Sequence, residues 1–375
     1  MEILDKVKLL SESSKYDLCA SSASKRKTTT DDRIGNAASG GICHSFTADG
    51  RCVSLFKTLM SNECSYDCRY CQNTGCTRRK TATYEPKQLA KVFMRLYVKN
   101  YVEGLFLSSG VIRDPDRTTE NMLDAVKYIR ERYKFHGYIH FKALPGVNQD
   151  LLKQCSEYAD RMSINLEVPN SSRMPEISHI KDFKSDIIRR QRWISRLKIP
   201  SGQTTQMVVG SSDESDLEIL NAMKWEYDNV KLRRAYFSAF TPIEGTPLEK
   251  KSKTPLLREN RLYNTDWLLR VYKFRFKEIK EILNDKNNLP KDDPKIHIAR
   301  NYFDSAVDIN EAGYNDLIRI PGIGINSAYK IMELQEKGIR IEKKTELKQM
   351  GIVVKRAEPF ITINGYQQKT LANFA

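Results

Sequence analysis

Five histidines in 375 residues, scattered without shared spacing, leave little for hydrolytic chemistry. There is no Gly-rich Walker loop, no zinc-protease helix and no nucleophile elbow, which excludes the P-loop, zincin and α/β-hydrolase mechanisms. No apolar run approaches the ~20 residues a membrane helix needs. The opening MEILDKVKLLSESSKYDL lacks the apolar core and small-residue cleavage site of a secretion signal. The expected compartment is therefore the cytoplasm, with no membrane partner, where thiols stay reduced. Cysteine is scarce, at eight residues, and there is no long repeat or low-complexity tract.

Positive charge is abundant. The 62 Lys and Arg outnumber the 47 Asp and Glu, for a formal charge of +15. An anionic partner follows, with nucleic acid the first candidate; an even coat of solubilising lysines is the competing explanation. The density peaks in KDFKSDIIRRQRWISRLK (181–198), seven basic against two acidic residues, a pattern that reads as the solvated face of a helix.

From about residue 53 to 280, short β-prone runs alternate with amphipathic stretches: VSLFKTLM (53–60), EGLFLSS (103–109), GYIHFKA (137–143), RMSINLE (161–167), TTQMVVG (204–210) and KLRRAYFSA (231–239). Six β/α units spaced about thirty residues apart require a parallel sheet with right-handed crossovers. Six are fewer than the eight of a closed barrel, so the expected fold is α/β, a partial (β/α)6 TIM-like barrel. LNDKNNLPKDDPK (283–295) breaks the pattern. The expected organisation is an N-terminal Cys-containing segment (1–50), the barrel (51–283), a linker (284–295) and a small all-α domain (296–375).

The cysteines are not evenly spread. Residues 62–76, NECSYDCRYCQNTGC, hold four of the eight, with Cys64, Cys68 and Cys71 in a C-x3-C-x2-C triplet. A structural zinc site needs a second ligand pair and closes its tetrahedron. Three thiolates from one tight loop suit a [4Fe–4S] cube with one iron lacking a protein ligand. The loop follows the first barrel strand at its C-terminal end, where barrel folds place active sites.

This triplet, with Tyr70 before its last cysteine, resembles the signature of the radical S-adenosylmethionine superfamily. The resemblance implies a [4Fe–4S] cluster on Cys64, Cys68 and Cys71 as both metal site and catalytic centre. It also implies S-adenosylmethionine chelated to the free iron, an electron donor, and a 5′-deoxyadenosyl radical that abstracts hydrogen from substrate. Further cofactor contacts then fall at strand ends. Ser108-Ser109-Gly110 stands where relatives carry a Gly-Gly-Glu turn for the cofactor's amino group, without the Glu. Asn165 and Glu167 resemble the Asn-x-acid pair that meets ribose hydroxyls, donors a carboxylate readily accepts. In QMVVGSSDE, Gly210 matches the glycine beside the adenine, with Asp213 in place of the expected Glu. Tyr236, Phe237 and Phe240 read as core aromatics.

Near the C-terminus, RIPGIG separates two amphipathic stretches, and a helix rather than a strand precedes it, which rules out a dinucleotide loop. A helix-hairpin-helix remains. Its glycines let backbone approach phosphate at a helix N-terminus. The expected nucleic-acid contacts are Gly322, Ile323, Gly324, Asn326 and Lys330, with Arg319 adding to the grip; domain packing is the competing role. ELKQMGIVVKRA (346–357) reads as a degenerate second copy, with Gly351 present and Val353 in place of the second glycine.

Stretches across residues 10 to 365, including GICHSFTADGRCVSLFKTLM, GYIHFKALPG and ENRLYNTDWLLRVYKF, resemble the radical S-adenosylmethionine proteins with a C-terminal helix-hairpin-helix that are classed as DNA modification or repair proteins. That resemblance implies an enzyme docking on DNA or RNA. Two alternatives stand beside it: a radical enzyme acting on a peptide or small molecule, and an iron–sulfur nucleic-acid-binding protein without catalysis. Cys19, Cys43 and Cys52, near His44 and Cys76, are candidates for an auxiliary metal site, with burial as small side chains the alternative.

Overall fold

Alternating burial organises the barrel. In a computed structural model that describes residues 1–14, 42–46, 52–77 and 79–366, seven strands form one open, curled sheet in the order β1 to β7. They are β1 (Ile42–Phe46), β2 (Cys52–Leu59), β3 (Gly104–Ser108), β4 (Tyr138–Lys142), β5 (Arg161–Ser163), β6 (Gln203–Val209) and β7 (Arg234–Ala239). β2 to β7 are parallel, pairing in register Leu55 with Gly104, Gly104 with Tyr138, His140 with Arg161 and Gln206 with Tyr236. These are the six strands expected. β1, antiparallel to β2, was not anticipated, because ICHSF is too short and mixed to show a period.

Successive side chains of a strand face opposite sides. The outward set, with Phe56, Leu105, Leu107, Ile139, Phe141 and Met162, packs against helices α2 (Pro86–Val98), α3 (Pro115–Lys127) and α4 (Gln149–Tyr158). An N-terminal helix, α1 (Ile3–Ser13), joins this core through Leu10. Each fully buried Leu or Phe contributes ~1.5–3 kcal/mol. The inward set is different. Val53, Leu55 and Phe106 plug one end, and beyond them come Lys57, His140, Lys142, Ser163 and Gln206, all buried. Such residues make the lumen polar and positively charged near its open end.

The helices begin where local chemistry stops a strand. Asp114 caps α3 by accepting from Arg117 N at 2.8 Å, ahead of Pro115, and Asn148 caps α4 by accepting from Leu151 N at 2.9 Å. Among the described residues no helix is long and apolar enough to cross a membrane.

The chain divides into two units, residues 1–214 with 218–255, and 215–217 with 256–375. Residues 284–295, expected as a linker, fall within the span of the second unit. Asp216 holds them in place, accepting from Leu289 N at 2.8 Å while paired with Arg258 at 2.7 Å, and Asp293 caps the helix Pro294–Tyr302. This unit is helical, with one short parallel pair, β8 (Val307–Asp308) and β9 (Ile361–Thr362).

Candidate active site

The cysteine loop leaves the end of β2 and folds back on itself. Gly75 N donates to Tyr66 O at 2.8 Å, Cys71 N to Cys68 O at 3.1 Å and Thr74 N to Cys71 O at 3.2 Å. A β-carbon on Gly75 would stand 2.7 Å from Cys64 O, so glycine is required for the loop to close. Asp67 staples the loop to residues 178–180, accepting from Ser178 Oγ and from His179 N at 2.8 Å.

Gly110 sets the loop against the end of β3. A side chain there would meet Glu63 O at 2.3 Å and Cys64 Cβ at 3.0 Å. Val111 N points to Cys64 Sγ at 3.4 Å, and Ser65 N donates to Val111 O at 2.8 Å. Cys64, Cys68 and Cys71 consequently line one cavity at the C-terminal ends of the strands. Tyr70, Ser108, Ser109, Gly110, Asn165 and Glu167 line the same cavity. The structure thus brings together all the cofactor contacts read from the sequence except Gly210.

Gly210 lies at the end of β6 with φ +82, and a β-carbon on it would fall 1.9 Å from Thr254 Oγ1. Its amide donates to Glu214 Oε1 at 2.6 Å, and Ser212 Oγ donates to the other oxygen of the same carboxylate. The acid that completes this turn is therefore Glu214, buried, one residue beyond the Asp213 expected. Asp213 is exposed and paired with Lys251 at 2.8 Å.

Lys181 is the residue that sequence reading missed. It opens the basic stretch read as a solvated face, yet it is buried in the cavity wall with Nζ 3.3 Å from Glu167 Oε1. Burial alone would strip its proton, but Cys68 and Glu167 outweigh burial and raise its pKa. Burial pushes the Cys68 thiol up to about 11, with Lys181 pulling the other way. Asn165 Nδ2 approaches Glu167 Oε2 at 3.4 Å, and the Tyr70 phenol also faces this carboxylate. Glu167 itself has φ +68, a left-handed conformation that costs a non-glycine residue free energy. It persists because Glu167 N donates to Gln206 O at 3.0 Å and its carbonyl accepts from Val208 N at 2.8 Å. The neighbouring strand therefore holds this strained backbone in the cavity wall.

The donor set fits the cofactors. Soft thiols suit an iron–sulfur cluster. Among the described residues no three Cys, His, Asp or Glu side chains converge tightly enough for a single ion, whereas the three thiols spread round one cavity. The polar strand ends beside them offer hydroxyl, amide and carboxylate partners for a ligand rich in amino and hydroxyl groups. The auxiliary metal site expected at Cys19, Cys43 and Cys52 gains no support. Cys43 is disulfide-bonded, while Cys19 and the side chains of Cys52 and His44 lie outside the described residues. Cys76 is an exposed free thiol and Cys155 a buried core residue.

In the second unit, Gly322 has φ +89 and would place a β-carbon 2.4 Å from Val353 O; its carbonyl accepts from Val353 N at 3.0 Å. The degenerate second hairpin thus packs on the first. Ser327 Oγ donates to Met350 O at 3.0 Å from the other side. Arg319, expected at the phosphate, is instead buried and bonds Glu278 through two nitrogens at 2.8 and 3.1 Å. Ile323 is buried too, its carbonyl accepting from Lys295 Nζ at 2.6 Å. Asn326 and Lys330 are exposed. The helix Ile325–Glu336 starts at Gly324 without a side-chain cap.

The radical SAM superfamily model matches residues 58–225, and a helix-hairpin-helix motif matches residues 304–353. Among solved structures, the chain is similar to methylornithine synthase (PylB), at 15% identity and TM-score 0.47, over 57% of this chain and 60% of that one. It is also similar to the [FeFe]-hydrogenase maturase HydG, at 11% identity and TM-score 0.48, over 84% and 83%. Coproporphyrinogen III oxidase (HemN) from Escherichia coli gives 14% identity and TM-score 0.39, over 63% and 55%. No curated protein matches the sequence. Beside the cysteine triplet and its cavity, the chain thus carries a radical SAM region over residues 58–225 and a C-terminal helix-hairpin-helix motif over residues 304–353.

Proposed function

We propose that this enzyme modifies or repairs nucleic acid, with DNA the first substrate to test. The barrel cavity performs the radical step and the hairpin holds the phosphate backbone. The observation that carries the reading is the N-terminus of Ile325–Glu336. It lies in a helix-hairpin-helix motif, starts at a glycine that has no side chain to cap it, and has the exposed Asn326 and Lys330 beside it. Amide groups at such an end attract an anion. The +15 formal charge supports the same partner.

In the cavity, Cys64, Cys68 and Cys71 hold the cluster, and Ser108, Ser109, Gly110, Asn165 and Glu167 meet S-adenosylmethionine. When bound, the pair supplies an electron and a carbon-centred radical. The chain's own residues do the rest. Lys181 keeps charge balanced at Glu167, Tyr70 and Asn165 orient that carboxylate, and the strand ends hold the reacting groups in line away from water. Lys142, buried at the cavity edge, extends positive charge toward an anionic substrate.

A second reading, radical chemistry on a peptide or small molecule, is favoured by one observation: Gly322 is consumed in packing against Val353. The two separate in one experiment. Anaerobically reconstituted protein with dithionite and S-adenosylmethionine is assayed for 5′-deoxyadenosine with and without DNA or RNA. The proposal expects nucleic acid to raise product formation, and Cys64→Ala to abolish it. No stimulation by either polymer, together with DNA affinity indifferent to salt, would overturn it.

A further inference from the structure

A second pocket, of about 660 Å³, opens on the helix side of the barrel wall, within the ~300–1,000 Å³ typical of small-molecule sites. Leu166, Phe183, Ile188 and Trp225 form its apolar walls. Leu166 sits between Asn165 and Glu167 in sequence, so one strand end serves both sites from opposite faces. Lys184, Arg189 and Arg192 stand at the exposed rim, with the Arg192 guanidinium 5.4 Å from the centre of the Trp225 ring. Part of the wall, Phe183–Ile188, is a π-helical turn, a geometry frequent at functional positions.

The floor is unusual. Glu226 is 1% exposed, lines this pocket, and has no hydrogen-bond partner on either carboxyl oxygen. Gln191 is the side chain that eases this burial, but only in part: no hydrogen bond of normal geometry reaches either Glu226 oxygen, and Gln191 Nε2 is committed to Thr205 Oγ1 at 3.3 Å. Buried polar groups are normally satisfied, so a partner from outside the chain is called for.

Its chemistry is constrained at both ends. A hydrocarbon would leave Glu226 unpaired. An organic cation would suit Glu226 but meet three positive side chains at the rim. What satisfies floor, walls and rim together is a flat, hydrogen-bonding ring that carries an anionic group at its far end. We propose that this pocket binds a nucleotide, its base edge on Glu226, its ring against Trp225 and its phosphate at Lys184, Arg189 and Arg192. Burial pushes the Glu226 carboxyl up to about 8. At neutral pH it then offers one O–H donor and one acceptor side by side, the complement of a base edge with an acceptor next to a donor. The site is separate from the cofactor cavity and does not rest on the reading of the reaction.

The test uses the full-length reconstituted protein and equilibrium dialysis. The probes are the four nucleoside 5′-monophosphates, their nucleosides, inorganic phosphate, and a short 5′-phosphorylated single-stranded oligonucleotide. At least one mononucleotide or the oligonucleotide should bind saturably. Arg189→Ala with Arg192→Ala should weaken the nucleotide about tenfold and leave its nucleoside unchanged. Glu226→Leu should weaken binding at least about tenfold while leaving the melting temperature equal or higher, and Glu226→Gln, which keeps a donor and an acceptor, should bind within a few-fold of the parent. If a mononucleotide binds in this Glu226-dependent way, the ligand is a free nucleotide; if only the oligonucleotide does, it is a nucleotide within a strand. No saturable binding of any probe, or binding untouched by Glu226→Leu, overturns the proposal. None of these readouts uses cofactor cleavage, so failure here and failure of the proposed function are distinguishable.

Discussion

Two glutamates buried on opposite faces of the same wall are treated in opposite ways. Glu167, 4% exposed, sits in a cavity among thiols with Lys181 at 3.3 Å and Asn165 at 3.4 Å. Glu226, 1% exposed, sits among apolar side chains with neither oxygen bonded. The first is paired with a lysine out of water, at the desolvation cost any buried pair carries. Without a counter-charge the second keeps its proton. Glu167 thus has its counter-charge before anything enters the cavity, while the outer pocket holds a neutral carboxyl with no bond of normal geometry on either oxygen.

The largest effect should come from breaking the balanced site. Lys181→Met leaves Glu167 buried without its cation, and loss of one partner of such a pair costs ~3–5 kcal/mol. Urea unfolding should show that loss, and Lys181→Met combined with Glu167→Gln should recover a large part of it. If the single variant unfolds at the parent's urea concentration, Lys181 does not balance Glu167 and the contrast collapses.

At Glu226 the sign reverses. The folded pKa, about 8, lies above its ordinary value of 4.5, so between those pH values the folded state binds more protons than the unfolded one. Stability from this group is complete below pH 4.5, falls as pH rises, and is lost above 8, at most ~1.4 kcal/mol per pH unit. Glu226→Leu removes that dependence. The gap in melting temperature between Glu226→Leu and the parent should widen from pH 5 to pH 8; a gap constant over that range would show that Glu226 is solvated or paired.

The second unit repeats the contrast between committed and open groups. Gly322 is committed, since φ +89 and the 2.4 Å approach to Val353 O leave no room for a methyl group. Gly324 is open, with φ −94 and nothing nearer than the Tyr272 hydroxyl at 3.7 Å. Gly322→Ala should therefore lower stability by ~1–3 kcal/mol, and Gly324→Ala by less than ~0.5 kcal/mol. DNA affinity lost in Gly322→Ala would be ambiguous for that reason, whereas loss in Gly324→Ala would report on the hairpin's contact with phosphate.

Local patterns carried much of this into the sequence. C-x3-C-x2-C has a spacing that few other uses require, and strands repeating every thirty residues reveal a parallel barrel. Asn165 and Glu167 were legible through their resemblance to an Asn-x-acid pair, and both line the cavity although Glu167 itself leaves the extended conformation. Lys181 was not, because nothing local distinguishes a lysine that faces a carboxylate fourteen residues earlier from its solvated neighbours. Glu226 was hidden likewise, being one acidic residue on an ordinary-looking helix. Arg319 erred in the other direction, since a basic residue next to RIPGIG suggests phosphate until Glu278, 41 residues away, is seen holding it. Nor could the sequence show that Asp216 binds Arg258 and Leu289 across long stretches of chain. Glu226 apart, whose mark is burial without a well-formed partner, what was missed is long-range pairing of a polar side chain, which has no period.

That difference between Arg319 and Lys330 gives the smallest prediction and the most selective. Arg319 already has its anion in Glu278, and stacks 4.7 Å from Tyr302 and 4.9 Å from Phe274. Replacing it should appear in the melting temperature, with no change of its own in the salt dependence of DNA binding. Lys330 is exposed on the helix that begins at Gly324. If it neutralises one phosphate, Lys330→Ala should lower the slope of log affinity against log salt by about 0.9, equally for all sequences, without altering the melting temperature. Fluorescence anisotropy of one labelled duplex across a salt series is enough to measure it. A slope unchanged in Lys330→Ala but reduced in Arg319→Ala would mean that the buried arginine exchanges Glu278 for phosphate on binding, and the division between committed and open groups would then describe only the unbound protein.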